Sequence, residues 1–160
     1  SLDKVAVFYS PLGPDTQQAL SRLFADLAKG LHAEKNKTLE IQERHLQALR
    51  WSEGLVWFEF ETLCGGPRGA ADYIEIARQY HTVFLSEIPV LQEPGNDKAR
   101  RFITMVDEFY DHRVKLVASA AASPEMLYEG AELQFPWARA LSRLLEMQTR
   151  EYLASQHNPE

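Results

Sequence analysis

The stretch HTVFLSEIPVL, residues 81–91, decides the fold class of this sequence. Its apolar run, Thr82–Leu85, is short and rich in β-branched and aromatic residues, which is typical of a buried strand. An amphipathic segment follows, in which Phe102 and Val106 stand at helical spacing, and a second apolar run, VKLVASA, occupies residues 114–120. A strand, a helix and a second strand in this order predict a parallel unit of an α/β fold.

Ahead of this unit, the sequence predicts a small antiparallel element from about Thr38 to Phe60. Three segments, TLEIQ, HLQAL and LVWFEF, read as extended chain, with apolar and polar residues alternating most clearly in the first and third, and WSEG at 51–54 predicts a turn. The preceding AEKNK, residues 33–37, is polar and predicts a solvated loop. The prediction is an α/β fold in one domain over residues 1–160: a small mixed sheet with flanking helices, a parallel strand–helix–strand unit and an antiparallel hairpin element.

Further signals mark the ends of elements. VAVFY, residues Val5–Tyr9, predicts a first strand. Asp15 and Asp97 are predicted to cap the helices that follow them. The last helix is predicted to run without a break from about Trp137 to Leu153 and to bury Leu145 and Tyr152 among its apolar residues, and the tail, residues 155–160, is predicted to be frayed.

Composition limits the classes of partner. The chain has 45% hydrophobic and 25% charged residues, a net charge of −6 and one cysteine, as expected of a globular protein without an intrachain disulfide. The acidic balance predicts that nucleic acid is not a partner. No apolar run approaches the ~18 residues of a spanning helix, so any membrane contact is predicted to be peripheral only. The five histidines are scattered, and no metal site is predicted.

Ser86 and Glu87 raise a chemical question at the end of the first buried strand. Many ATPases carry Asp-Glu there, with the Asp holding Mg²⁺ and the Glu preparing water, and a polar sensor at the position of Ser119. The phosphate-binding loop is missing, because none of the eight glycines is followed by lysine. Serine is a poor ligand for Mg²⁺. The sequence therefore favours a strand end that reaches solvent, while a degenerate ATPase and a fragment of a longer ATPase stay open.

Charged residues on the last two long helices are candidates for a binding site. Two interpretations compete, namely arginines aimed at a phosphate or a neighbouring domain, and a solvated helix face with weak ion pairs. No catalytic residue is predicted. The candidates for nucleotide or interdomain contact are Arg100, Arg101, Arg139 and Arg143, and those for an interaction surface are Asp107, Glu146 and Arg150.

Two other residues receive structural interpretations. Cys64, ahead of Gly65-Gly66, is predicted to be a small buried hydrophobe and not a nucleophile. Asp72, near a helix start, is predicted to be a cap or dipole partner and not a catalytic acid.

Three strings resemble the C-terminal part of the ZapE-like AAA-type ATPases, which are bacterial cell-division ATPases and their mitochondrial relatives. They are FEFETLCGGPRGAADYIEIARQYHTVFLSEIPVL at 58–91, ARRFITMVDEFYDHRVKLVASA at 99–120 and SRLLEMQTREYL at 142–153. The similarity begins at VFYSPLGPDT, residues 7–16. Thr62 and Arg68 stand where the family pattern has Glu and Leu, and SEIP replaces the usual DIP-like string.

The resemblance implies the C-terminal fragment of a longer ATPase, whose phosphate-binding core lies upstream. ATP and Mg²⁺ are then expected in the parent protein, while the fragment alone is expected to bind neither and to be inactive. The parent is expected to hydrolyse ATP in the bacterial cytoplasm and to act on the division-ring protein FtsZ, whereas relatives act in mitochondrial protein quality control. The expected partners are the upstream core, FtsZ and other subunits of an oligomer.

AAA-type proteins often carry an arginine that contacts the γ-phosphate on a helix after the ATPase core. Arg139 and Arg143 both lie in the family-like string, and Arg143 is preferred for this role because it lies nearest the middle of the helix, where side chains are best held. The alternative from a different class is a free-standing protein-interaction module without ATP chemistry.

Overall fold

In the computed structural model, which describes residues 6–94 and 96–160, one mixed sheet is flanked by helices. The strands are β1 (Phe8–Tyr9), β2 (Ala33–Ile41), β3 (Arg44–Ser52), β4 (Leu55–Glu59), β5 (Thr82–Ile88) and β6 (Lys115–Ala120). The helices are α1 (Pro14–Leu27), α2 (Phe60–Cys64), α3 (Ala70–Gln79), α4 (Asn96–Asp111), α5 (Gln134–Glu146) and α6 (Arg150–Ala154), with a 3-10 helix at Pro124–Met126. The prediction for the first strand included Val5, which lies outside the described residues.

The order of strands in the sheet is β1-β6-β5-β4-β3-β2. Strands β1, β6, β5 and β4 are parallel neighbours, whereas β3 is antiparallel to both β4 and β2. Helix α4 connects β5 to the adjacent parallel strand β6, so the predicted strand–helix–strand unit is confirmed. The mixed sheet and the antiparallel element are confirmed as well.

The β2–β3 hairpin is longer than predicted. Residues 33–37, predicted as a loop, are part of β2, where Lys35 lies opposite Arg50 and Lys37 opposite Ala48. Backbone hydrogen bonds to β3 hold this segment, so its polar side chains do not prevent strand formation. Because β2 is the edge strand, charged residues here also protect it from pairing with another chain.

Aromatic side chains from several elements build the core. Phe24 of α1 lies 5.2 Å from Phe84 and 6.0 Å from Trp57 between ring centroids. Phe102 of α4 packs against Phe60 and Trp137 at 6.1 and 6.2 Å. The predicted apolar face of α4 is buried, which confirms the helical spacing read from the sequence.

Two helix starts differ from the prediction. Helix α1 begins at Pro14 behind Gly13, so Asp15 lies in the first turn and is not the cap. Proline suits this position because the first helical N–H has no partner within the helix. Helix α4 begins at Asn96, which likewise places Asp97 in the first turn. Both aspartates remain favourable there, because the amino end of a helix carries partial positive charge.

The last predicted helix is broken into α5 and α6. The Thr149 hydroxyl donates to the Glu146 carbonyl at 2.7 Å and accepts the Tyr152 N–H at 3.2 Å. Thr149 thus ends one helix and caps the next, which is a common role of threonine. Leu145 of α5, predicted to be buried, is exposed, while Tyr152 of α6 is buried as predicted.

Candidate functional site

The carboxyl ends of β4, β5 and β6 lie side by side at one end of the sheet, where open α/β folds usually bind ligands. Glu59 ends β4, Glu87 lies near the end of β5, and Ser119 lies near the end of β6. The carboxyl end of the sheet therefore includes the positions whose sequence resembles half of an ATP site.

Ser86 does not reach solvent, contrary to the prediction. Its side chain is buried, and its hydroxyl oxygen accepts a hydrogen bond of 2.9 Å from the Trp57 indole N–H. A hydroxyl that faces the core and is already occupied is not available to coordinate Mg²⁺. The buried bond also satisfies the polar atom of a fully buried tryptophan, which is the usual requirement for that side chain.

Glu87 has a left-handed backbone, with φ of 64°. This conformation is uncommon for residues other than glycine. Its N–H donates to the Ser119 hydroxyl at 3.1 Å, and the pairing of β5 with β6 is irregular between Leu85 and Ile88. With this local irregularity, the Glu87 side chain is exposed at the carboxyl end of the sheet.

A cleft of about 370 Å³ opens beside Glu87. It is lined by Gly13, Pro14, Gln17, Glu59 and Glu87, so no lysine or arginine contributes to its wall. Pro14 also lacks the N–H that the first turn of a helix would otherwise offer to an anion. Two carboxylates without a cation disfavour a polyphosphate, so this cleft is not built to hold the phosphates of a nucleotide.

The predicted charged residues meet between α4 and α5. The Arg143 guanidinium donates to the Asp107 carboxylate at 2.5 Å, with side-chain exposures of 19% and 31%. The same guanidinium lies 4.8 Å from the centre of the Tyr110 ring. Arg143 is therefore held by a charge-assisted hydrogen bond and a cation–π contact, which join the two helices.

Glu146, also predicted, belongs to the same network. Its carboxylate accepts a hydrogen bond of 2.8 Å from the Tyr110 hydroxyl and lies 3.8 Å from the Arg113 guanidinium. The Tyr110 and Tyr152 rings are stacked at 6.0 Å, and Arg113 contacts both. The network ties α4, α5 and α6 together.

The remaining predicted arginines are placed separately. Arg100 pairs with Glu132 at 3.1 Å, and both side chains are more than half exposed. Arg101 donates to the Cys64 carbonyl at 3.2 Å. Arg139 and Arg150 are exposed and make no ion pair with any residue of the described ranges 6–94 and 96–160.

Cys64 and Asp72 have structural roles, as predicted. Cys64 is fully buried, and burial raises the pKa of its thiol to about 12, so the reactive thiolate does not form near neutral pH. The Asp72 carboxylate accepts the Gly69 N–H at 2.8 Å and so caps α3. It also pairs with Arg44 at 2.5 Å.

Sequence reasoning missed Arg44, Tyr110 and Arg113. A short-range signal existed for the last two, because Tyr110 and Arg113 are three residues apart and can meet at a helix end. The contacts of Arg44 with Asp72, and of Trp57 with Ser86, join residues 28 and 29 positions apart, and no local pattern indicates them.

In the part of the chain that the structure describes, no group of three or more His, Cys, Asp or Glu side chains is arranged to hold a metal ion. In the same residues, no helix combines the length and the apolar character needed to cross a membrane.

Comparison with known proteins identifies the family. The model of the AFG1-like ATPases matches residues 1–156. The chain belongs to the AFG1-like ATPase family.

Two relatives illustrate the extent of the similarity. The cell division protein ZapE of Escherichia coli K12 is 40% identical over 157 residues, which cover 98% of this chain and 42% of ZapE. Lactation elevated protein 1 homolog B of Danio rerio is 30% identical over 182 residues, covering 93% of this chain and 36% of that protein. The chain thus spans about two fifths of the length of these AFG1-like relatives. No solved structure matches it.

Proposed function

We propose that this chain is the part of an AFG1-like ATPase that supports the ATP site without forming its phosphate-binding loop. One observation carries the proposal. The family model matches almost the whole chain, yet no glycine in the chain is followed by the lysine of a phosphate-binding loop. Binding of MgATP and its hydrolysis then belong to a segment outside this chain, and the chain alone is inactive.

Helix α5 is the element proposed to face the nucleotide. Both Arg139 and Arg143 lie on it, and an arginine stays charged and binds phosphate oxygens in a bidentate manner. The sequence favours Arg143, but the ion pair with Asp107 engages that guanidinium within the chain. Arg139 is exposed and makes no ion pair in the described residues, so it is the freer of the two to reach a phosphate.

The cellular role is proposed from similarity. ZapE of Escherichia coli is named a cell division protein, and it aligns with 98% of this chain. Action on the division-ring protein FtsZ in the bacterial cytoplasm, with other subunits of an oligomer, is the role proposed for the parent protein. Protein quality control is the corresponding proposal for a mitochondrial relative.

The test is the ATPase rate of the full-length protein that carries this segment. Arg139→Ala is expected to lower the rate at least about tenfold, roughly 1.4 kcal/mol in the barrier, without changing the melting temperature. Arg143→Ala is expected to lower stability by about 1–2 kcal/mol, since it leaves Asp107 without its partly buried partner. Arg22→Ala, in α1, is the matched control because Arg22 is exposed and makes no ion pair in the described residues.

Wild-type rates in both α5 variants would contradict a role for this helix at the nucleotide. Loss of activity in Arg143→Ala alone, at unchanged melting temperature, would assign the phosphate contact to Arg143, as favoured from the sequence. The full-length protein is also compared with a variant that lacks the lysine of the phosphate-binding loop. If the two hydrolyse ATP at the same rate, the result would favour an interaction module without ATP chemistry.

A further inference from the structure

Helix α5 carries apolar side chains on two sides, and only one side is covered. Trp137, Ala140 and Leu144 are buried against the rest of the chain. On the other side, Phe135 is 92% exposed and Leu145 is 41% exposed. The second side of the helix is therefore left open to solvent by residues 6–94 and 96–160.

The uncovered side forms one line of residues along the helix. We call it the open face of α5, and it consists of four exposed residues at spacings of three, four and three: Phe135, Ala138, Ser142 and Leu145. The two residues in the middle are small, so another element can lie close to the helix axis there. Four large apolar side chains are exposed in the described residues, and this one face holds two of them, Phe135 and Leu145.

A pocket of about 270 Å³ adjoins the open face. It is lined by residues of α4, of α5 and of the position before α5: Arg100, Ile103, Thr104, Leu133 and Pro136. Its polar side chains already have partners, because Arg100 pairs with Glu132 and the Thr104 hydroxyl donates to the Arg100 carbonyl at 3.0 Å. Since Pro136 directly follows Phe135, an apolar side chain of a docked partner can enter the pocket beside the open face.

The combination distinguishes this surface from ordinary exposed residues. A single exposed apolar side chain is common on proteins and indicates no function. Here Phe135 stands in line with Leu145 and next to an apolar pocket, and contiguous apolar surface with a polar rim marks sites of protein contact. The arrangement is that of a docking surface.

The charge of Arg139 decides which partner fits. Arg139 lies four residues after Phe135 and three before Ser142, so it flanks the open face, and it is exposed without an ion pair in the described residues. A second copy docked face to face, with the two-fold axis at the middle of the open face, would bring the two Arg139 side chains together, and like charges repel. A partner that carries phosphate groups has the opposite charge.

We propose that the segment with the phosphate-binding loop docks on the open face of α5. This inference rests on the function proposed above and names the surface which that function requires. More than half of ZapE lies outside the region that this chain covers, so a relative has enough further chain to form such a segment. Phe135 and the adjoining pocket supply the apolar contact, while Arg139 at its rim meets the phosphates that the segment holds.

The experiment measures how fast a maleimide labels Ala138→Cys in the 160-residue chain and in the full-length protein that carries it. Both proteins are measured without nucleotide, so the result does not depend on ATP chemistry, and the labelled peptide is quantified by mass spectrometry. In the full-length protein, labelling is expected to be at least about tenfold slower, because the docked segment must open before the thiol reacts. The native Cys64 is fully buried and does not compete for the label.

Three variants serve as controls. Ala25→Cys is matched to Ala138→Cys, because Ala25 is likewise exposed on a helix, α1, and it should be labelled at the same rate in both proteins. Adding Phe135→Ser to Ala138→Cys in the full-length protein should restore most of the fast labelling, since Phe135 is the largest apolar group of the open face. Adding Leu31→Ser instead changes an exposed leucine elsewhere and should leave labelling slow.

Three results would overturn the proposal. They are equal labelling of Ala138→Cys in both proteins, equal slowing of Ala25→Cys, and slow labelling that becomes fast when the full-length protein is diluted, which would identify a second copy as the occupant. The proposed nucleotide role fails separately. A wild-type ATPase rate in Arg139→Ala, together with slow labelling of Ala138→Cys, would confirm the docking surface and reject the phosphate contact of Arg139.

Discussion

The two ends of the parallel sheet carry opposite chemistry. At the carboxyl end, Glu59 and Glu87 line an open cleft without a cation. At the amino end, His81 and Lys115 meet residues 155–160, which were predicted to be frayed but are held by hydrogen bonds of Ser155 to Lys115 and of His157 to Ala77. The comparison shows that the carboxyl end, where α/β sheets usually bind ligands, is acidic here, whereas the amino end carries a lysine and two imidazoles. Neither end offers an open, positively charged cradle for phosphates, which fits a chain that supports an ATP site formed elsewhere.

The largest expected effect comes from the core that underlies the carboxyl end. Trp57→Ala removes a fully buried indole that contacts Phe24 and Phe84 and leaves the Ser86 hydroxyl without its donor. We expect a loss of about 3–5 kcal/mol of unfolding free energy, measured by urea denaturation. Trp57→Phe is the comparison variant and should lose less, because it keeps an aromatic ring in the same space. Equal losses would show that the hydrogen bond outweighs packing at this end.

The next effect belongs to the amino end and depends on pH. Burial, with a smaller effect of Arg113, lowers the pKa of Lys115 to about 8, against about 10.4 in an unfolded chain. Between these values the unfolded state binds more protons, so the free energy of unfolding should rise with pH. We expect a rise of about 1 kcal/mol between pH 8 and pH 9.5, measured by urea denaturation in a Cys64→Ala background, because the buried Cys64 thiol, whose pKa is raised to about 12, would otherwise give an opposite trend in this window.

Two controls sharpen this prediction. Lys115→Met should abolish the rise, because methionine fills similar space and does not titrate. Measurements stop at pH 9.5 because burial raises the pKa of Tyr73 and Tyr152, which gives an opposite trend at higher pH. If the free energy of unfolding rises by the same amount in Lys115→Met, the amino end of the sheet does not disfavour the charged form of Lys115.

The smallest effect is expected at Glu87. Its left-handed backbone is strained for any residue with a Cβ, so Glu87→Gly should stabilise the chain by about 0.5–1 kcal/mol. Glu59→Gly is the matched control at the same cleft. Glu59 has an ordinary extended backbone, with φ of −79°, so glycine should destabilise there. A loss of stability in both variants would indicate that Glu87 makes contacts that outweigh its backbone strain.

Local patterns in the sequence predicted the elements but not the contacts between distant residues. The apolar face of α4 was sufficient because a buried face repeats with the period of its element. The alternation in β4 located the strand but not its burial, since Val56, Trp57 and Phe58 are all buried and both faces of the strand are covered. Residues 33–37 were predicted wrongly because pairing with β3, which is not a local property, makes them a strand. The break at Thr149 depends on one side chain that bonds the backbone in both directions.

Of the candidate site, the sequence predicted residue types and not partners. Asp107, Arg143 and Glu146 were singled out for their charge, and the structure brings them into one network with Tyr110. The partners Asp107 and Arg143 are 36 positions apart, and His157 and Ala77 are 80 apart. Such pairs arise from how the helices and residues 155–160 pack on the sheet, which periodicity does not encode.

The central claim is that this chain supports an ATP site whose phosphates are held elsewhere. Isothermal titration of the 160-residue chain with MgATP at pH 7.5 tests it most directly. The account predicts no saturable heat up to about 1 mM nucleotide, which corresponds to a binding free energy weaker than about −4 kcal/mol. The reason is that the carboxyl end of the sheet is acidic and the chain lacks a phosphate-binding loop. Saturable binding with a micromolar Kd, at one site per chain, would contradict it.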